Sequence, residues 1–351
     1  MMGTILQFVG LIAALIILHE LGHFLAARLF GVEVEEFGIG FPPRILKLFE
    51  FRGTEYTLNW IPLGGFVRPK GENDPEIEGG LAGAKPLVRI AVLFAGPMMN
   101  LLAAVVVYAV IFSQLGVPDI SIVEVMEIAQ QSPAAEAGLL PGDVIQEING
   151  VPVENSTVLR NEIYNNLGQE INLEYLRDGT AYQTSLVPRS DPPENEGAIG
   201  IVMTSPVQDV NWVEALPMGV GATARHSAAV LSLPASLIRG TADEVGRPVG
   251  YKGMYDVFEG AQNQQLLPGT SSQVNVLLFV ASITVSLGIL NLFPIPALDG
   301  GRILFVLPEL IAGKRVSQRV QNVVNAVGFI SLLLLLIYFN VLDFTSPVQL
   351  P

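Results

Sequence analysis

The chain has 351 residues, of which 50% are hydrophobic and 15% charged. Soluble chains carry about a quarter charged residues, so an ordinary soluble class fits poorly, and the length admits two or three units. A net charge of −14 leaves no basic excess to neutralise phosphates and argues against a nucleic-acid partner, while the absence of cysteine excludes disulfides and thiolate metal ligands.

The first apolar stretch runs from Ile5 to Leu29. No basic region precedes it and no convincing cleavage site follows, so it predicts a retained transmembrane helix and not a signal peptide. Inside it lies His19-Glu20-Leu21-Gly22-His23, after a run from Ile5 to Leu18 without a charged group. Two histidines four residues apart project from one helix face, one turn apart. That spacing lets two imidazoles hold one Zn²⁺, with Glu20 beside the metal as a general base. Polar groups after so apolar a run are costly in lipid unless they are functional.

The loop that follows carries Arg28, Arg44, Lys47, Arg52, Arg68, Lys70, Lys85 and Arg89. A second apolar segment, Leu93 to Phe112, is uncharged and long enough to span hydrocarbon. A long acidic region, Ser113 to Gln273, separates it from a third, Val274 to Leu298, interrupted by Asn291, Pro294 and Pro296. Arg302, Lys314, Arg315 and Arg319 precede a fourth, about Val323 to Val341. The positive-inside rule puts both basic loops in the cytoplasm. Four spans then put both termini and the region from Ser113 to Gln273 outside it.

Within that region, Ser121 to Met203 alternates short apolar and β-branched runs with turn signals. Val144 to Ile148 precedes Asn149-Gly150, and Ile171 to Tyr175 precedes Arg177-Asp178-Gly179. Ser132 to Leu139 reads as a short helix closed at Gly138. Ser132-Pro133-Ala134-Ala135, Ala137-Gly138-Leu139, Pro141-Gly142-Asp143-Val144-Ile145 and Ile148-Asn149-Gly150 together resemble a PDZ domain of the bacterial, circularly permuted kind. The resemblance implies capture of peptides or protein termini by strand addition. Ala198-Ile199-Gly200-Ile201 is either the carboxylate-loop strand moved to the end or a plain closing strand. Gln208 to Gln265 contains helical stretches such as Trp212 to Leu233. His226 lies there, reads as structural, and is not counted as a ligand.

A zinc hydrolase needs three protein ligands and an open position for water. Without cysteine or a credible third histidine, a carboxylate must complete the set. Glu33, Glu35 and Glu36 lie in a charged loop, and Asp299, at the end of Asn291-Leu292-Phe293-Pro294-Ile295-Pro296-Ala297-Leu298-Asp299-Gly300-Gly301, is the better candidate. The two prolines must break the helix there, and such backbone is tolerated at membrane depth only in protein or along a wet cavity.

The HELGH motif, Phe37-Gly38-Ile39-Gly40-Phe41, Gly96-Pro97-Met98-Met99-Asn100 and the Asn291 to Gly301 run together resemble the site-2 protease family of intramembrane zinc metalloproteases. The PDZ insertion makes the chain similar to the bacterial regulator-of-sigma-E branch. Two departures are a single PDZ domain, where a tandem pair is familiar, and Arg302 where a histidine is common. The resemblance implies that His19, His23 and Asp299 bind zinc, that Glu20 activates water, and that Asn291 contacts the substrate backbone or polarises the scissile carbonyl. It implies that Tyr56 to Val67 belongs to a membrane-associated β-hairpin that offers an edge to unfolded substrate. The substrate-binding candidates are Asn59, Gly64, Gly65 and Asn100, with a turn role for Asn59 and a helix-packing role for Asn100 as alternatives.

The expected architecture is a polytopic α-helical membrane protein with about four transmembrane helices, a membrane-associated β-hairpin and an inserted extracytoplasmic α+β PDZ domain. Its expected parts are a membrane core (1–112), the PDZ domain (113–203), an extracytoplasmic helical connector (204–273) and the second half of the core (274–351). The expected activity is zinc-dependent endoproteolysis of transmembrane segments in single-pass membrane proteins, such as anti-sigma factors or remnant signal peptides, with the multi-pass chain in the inner (plasma) membrane bilayer. The competing reading is a non-catalytic PDZ scaffold or chaperone; a relative without turnover would be expected to lose Glu20 or a ligand, and this chain keeps all four. A zinc-dependent transporter fits less well, since no intramembrane ion path is visible.

Overall fold

The computed structural model describes residues 2–72, 74–193, 196–239, 248–266 and 270–347. The chain packs into two compact units, one of residues 1–112 and 212–351 and one of 113–211.

The first unit is helical, with one β-hairpin. Its helices are α1 (Met2–Leu29), α2 (Pro86–Leu115), α5 (Leu216–Arg239), α6 (Tyr251–Gln262), α7 (Ser272–Asn291), α8 (Asp299–Ala312) and α9 (Gln318–Thr345). Of these, α1, α2, α7 and α9 are long and apolar enough to cross a membrane. Local chemistry sets their ends. α2 opens on Pro86, whose missing N–H costs nothing in a first turn. Ser271 and Ser317 cap α7 and α9 through their side-chain oxygens. The third apolar segment, read in sequence as one interrupted stretch, is a helix and a turn: α7 stops at Asn291, Pro294 and Pro296 carry an irregular turn, and α8 starts just beyond it at Asp299.

Apolar clusters join these helices. Phe8 and Ile12 of α1 pack with Phe258 and Ala261 of α6 and Phe279 of α7. Ala104 of α2 packs with Val230 of α5 and with Val285 and Ile289 of α7. Residues 212–239 and 248–266, expected in a connector, therefore pack among the long helices; 240–247 and 267–269 lie outside the described residues. The α9 helix carries an exposed apolar surface, including Val327, Phe329 and Leu334, as suits a helix in lipid.

The hairpin consists of β1 (Val34–Phe51) and β2 (Thr54–Pro69). Glu36 to Ile39 are paired on both flanks, with Arg68 to Gly65 and with Glu55 to Leu58. Phe49, Phe51, Trp60 and Ile61 are exposed on it.

The second unit contains β3 (Val117–Pro118), β4 (Val123–Ile128), α3 (Pro133–Glu136), β5 (Val144–Ile148), β6 (Val151–Pro152), α4 (Ser156–Asn165), β7 (Ile171–Arg177), β8 (Thr180–Leu186), β9 (Ile201–Thr204) and β10 (Val207–Gln208). Its main sheet has the order β8-β7-β5-β4-β9, with β6 on β5, and β3 pairs with β10. The two predicted turns form at Asn149-Gly150 and Asp178-Gly179, all four residues at positive φ, which matches the twist of the flanking strands. Ile145, Ile148, Leu159, Ile171 and Leu173 fill the core. Asn155 caps α4, its Oδ1 accepting the Thr157 and Val158 amides at 3.0 Å each. Arg177 binds the buried Asp143 carboxylate through two 2.8 Å hydrogen bonds, and Asp143 holds the guanidinium well above its usual range.

Candidate metal centre

The α1 helix carries His19 and His23 on one face and Glu20 beside them. The α8 helix brings Asp299 to that face, 280 residues away in sequence. His19 Nε2 and His23 Nε2 stand 3.2 Å apart, and Asp299 Oδ2 lies 3.0 Å from the first and 3.4 Å from the second. Ligands in a tetrahedron with metal bonds of about 2.0–2.1 Å are about 3.3 Å apart, so these three atoms are spaced as one face of a tetrahedral zinc site requires. Among the described residues, this is the one group of three or more potential ligands close enough to share an ion.

The distal ring nitrogens are also committed. His23 Nδ1 is 2.8 Å from Val92 O, so it carries the proton and leaves Nε2 free for metal. His19 Nδ1 faces the side-chain amide of Asn100 at 3.1 Å. As placed, the amide nitrogen points at the ring and Asn100 Oδ1 is buried without a partner. Turning the amide lets Oδ1 accept the Nδ1–H and presents Nε2 to the metal. Asn100, a substrate-binding candidate in sequence, thus sits behind His19.

Glycines allow this approach. A β-carbon at Gly22 would strike the Ala95 carbonyl, and one at Gly96 would strike the His23 imidazole. β-Carbons at Gly300 and Gly301 would collide with the carbonyls of Leu292 and Ile295, so the Gly-Gly pair folds the start of α8 onto the preceding turn and aims Asp299 inward.

The hairpin forms another wall. Val67 donates its amide to Glu20 Oε2 at 3.0 Å, which fixes the carboxylate beside the ligands. Gly64, at φ 113, lies against Ile16 and lets β2 approach α1, whereas a β-carbon at Gly65 would strike the Gly38 carbonyl of β1. Asn59 is buried inside the hairpin and donates to Gly40 O at 3.2 Å, away from the cavity. That cavity, of about 490 Å³, is lined by His19, Glu20, His23, Val67, Asn291 and Asp299, among others. Asn291 donates to Leu287 O at 2.9 Å while facing it. Arg302 lines the mouth and pairs with Glu72 at 2.7 Å, without contact to the ligands.

Two of the other carboxylate candidates, Glu36 and Glu33, are engaged elsewhere. Glu36 is buried between Arg44 and Arg68, at 2.8 Å from each, and Glu33 pairs with Lys70 at 2.7 Å. His226 Nδ1 meets the Tyr108 hydroxyl at 2.8 Å. Sequence reasoning missed the Val92 carbonyl and the Val67 amide, because backbone partners leave no residue signature.

Two imidazoles, a carboxylate and an adjacent glutamate in a half-enclosed cavity are the parts of a zinc metalloprotease. The chain belongs to peptidase family M50, which matches residues 7–335, and its cofactor is zinc. A protein of Clostridium acetobutylicum with a zinc-metalloprotease name is 32% identical over 343 residues, covering 95% of each chain. Another of Campylobacter jejuni is 34% identical over 354 residues, covering 95% of this chain and 91% of that one. Among solved structures, the PDZ domain of the SdrC-like protein Lmo2051 from Listeria monocytogenes is similar, at 25% identity and a TM-score of 0.22, covering 24% of this chain and 87% of that one.

Proposed function

We propose that this metalloprotease cleaves transmembrane segments of single-pass membrane proteins at membrane depth. The observation that carries the reading is the triad of His19, His23 and Asp299 with Glu20, in which His19, Glu20 and His23 lie on a helix apolar enough to span lipid. When bound, zinc supplies a Lewis acid for the scissile carbonyl and lowers the pKa of a water beside it. Glu20 takes a proton from the attacking water as the oxygen bonds to the carbonyl carbon. It returns that proton to the departing amine nitrogen as the C–N bond breaks. The Val67 amide holds Glu20 in register, and Asn291, on the cavity wall, is placed to contact the substrate backbone.

The edge of β2 from Gly65 to Arg68 runs past Glu20. An extended substrate that adds to this edge lays its backbone along the cavity. The exposed Phe49, Phe51, Trp60 and Ile61 of the hairpin suit contact with the bilayer. The basic loops face the cytoplasm of the inner membrane, and both termini and the 113–211 unit lie outside it. The PDZ unit selects substrates by adding an extended segment to the outer edge of β9, beside the Ala198–Ile201 loop. A scaffold without turnover would have no use for Glu20 beside a complete ligand set.

The test uses full-length protein in detergent with a model single-pass substrate, wild type against Glu20→Gln. Cleavage within the transmembrane segment by wild type, lost in the mutant and on chelation, supports the reading. Equal cleavage by both, or none by zinc-loaded wild type, overturns it.

A further inference from the structure

We infer that Asn325, on the lipid-flanked α9 helix, is a positioning residue for the metal ligand Asp299. The inference rests on the zinc-site reading above and adds a residue to it. Ala297 lies two residues before Asp299 and has φ 75. That region disfavours a residue with a β-carbon, and such a conformation persists only where its surroundings hold it. Among the described residues, the other non-glycine residues at positive φ are Arg52, Gln131, Asn149, Asp178 and Gln264, all polar; Ala297 has only a methyl group with which to brace itself.

The brace comes from α9. Asn325 Oδ1 accepts the Ala297 amide at 3.1 Å. One turn further along the same helix face, Gly328 is buried against Pro296, where an added β-carbon would lie 2.5 Å from Pro296 Cβ and 2.6 Å from its carbonyl oxygen. The two residues therefore grip consecutive residues of the turn that delivers Asp299. Their neighbours Val323, Val327 and Ile330 are exposed, so Asn325 is a polar group in an apolar surrounding, which is unfavourable unless it is bonded. From Asp299 the chain enters α8, and Gly300 and Gly301 press back on the same turn. The carboxylate is thus aimed by a strained turn held at one end by α8 and at the other by α9.

The test measures zinc affinity of the full-length protein by competition with a chromogenic chelator, and the visible absorption of the Co²⁺-substituted protein, which reads ligand geometry without turnover. Asn325→Ala should weaken zinc binding by about 10–100-fold, the usual effect of losing an outer partner of a ligand, and should alter the Co²⁺ bands. Asn325→Asp, which keeps an acceptor, should bind zinc nearly as wild type does. Ala297→Gly should restore affinity to Asn325→Ala, because glycine adopts positive φ without the brace; a general folding role of Asn325 would not be rescued at position 297. Gly328→Ala, which displaces Pro296, provides an independent loss. Wild-type affinity in Asn325→Ala overturns the inference, as does a loss that Asn325→Asp shares and Ala297→Gly does not repair. Asp299→Ala separates the two readings: full zinc affinity there sinks the ligand assignment itself, whereas its loss with normal binding by Asn325→Ala sinks the positioning role alone.

Discussion

Glu20→Gln keeps the size of the side chain and an oxygen for the Val67 amide but removes the base. Loss of a general base costs about 10²–10⁴-fold in rate, so cleavage should fall by at least that while zinc per mole of protein stays at the wild-type level. A mutant that has lost zinc as well would place Glu20 among the ligands. Asn100 tests the layer behind them. Asn100→Leu leaves the His19 Nδ1–H buried without an acceptor, a loss of about 1–3 kcal/mol for an unsatisfied polar group. Zinc affinity should weaken about 10–100-fold, with substrate KM little changed. A raised KM at unchanged zinc affinity would return Asn100 to the substrate-binding role read for it in sequence. Asp299→Ala should lower zinc content and activity together, since two imidazoles alone make an incomplete site.

At the scale of elements, the centre depends on how closely α1 and α2 approach. Gly96 faces the His23 imidazole and Gly22 faces the Ala95 carbonyl, so the two helices meet backbone to side chain at the first and backbone to backbone at the second. Gly96→Ala inserts a methyl group where the imidazole sits. Overpacking of this kind costs about 1–3 kcal/mol, and the histidine ring is the group that must move. Zinc occupancy should drop, while the second unit, with its own core, should keep its fold by near-ultraviolet circular dichroism. Full occupancy in this variant would mean that α2 slides to make room. The Asn-Gly and Asp-Gly turns and the proline break after α7 were legible in the sequence, because each acts over a few neighbouring residues. The packing of α5 and α6 among the long helices was not, since Val230 and Phe258 have partners set only by tertiary contact.

For the whole molecule, the chain's orientation can be read directly, because native cysteine is absent. Single cysteines at Ser156 and Ser271 should react with an impermeant thiol reagent added to whole cells, and one at Ser317 should react only after permeabilisation. The reverse pattern would overturn the charge-based orientation. Excision of residues 119–206 removes the main sheet of the second unit and leaves the paired β3 and β10 to close the gap. The shortened protein should bind zinc and cut a short model substrate, and should lose discrimination against substrates with bulky extracytoplasmic domains. Loss of cleavage by a zinc-loaded deletion would make the second unit part of the catalytic machinery.

The sequence by itself determined the apolar segments, the two histidines with their glutamate, the prolines that stop α7 and the turns of the second unit. All of these follow from periodicity, composition or spacing along a few turns of chain, where physical chemistry acts locally. It also favoured Asp299 over Glu33, Glu35 and Glu36, but only by weighing residues in segments that are far apart. Tertiary structure decided the rest. It brought Asp299 3.0 Å from His19, occupied Glu36 with Arg44 and Arg68, turned Asn100 toward His19 and put Asn59 inside the hairpin. It also placed the Val92 carbonyl, the Val67 amide and Asn325 around the centre. Each of these is a contact between distant parts of the chain, made by backbone groups or ordinary asparagines, and its partner exists only once the helices have packed.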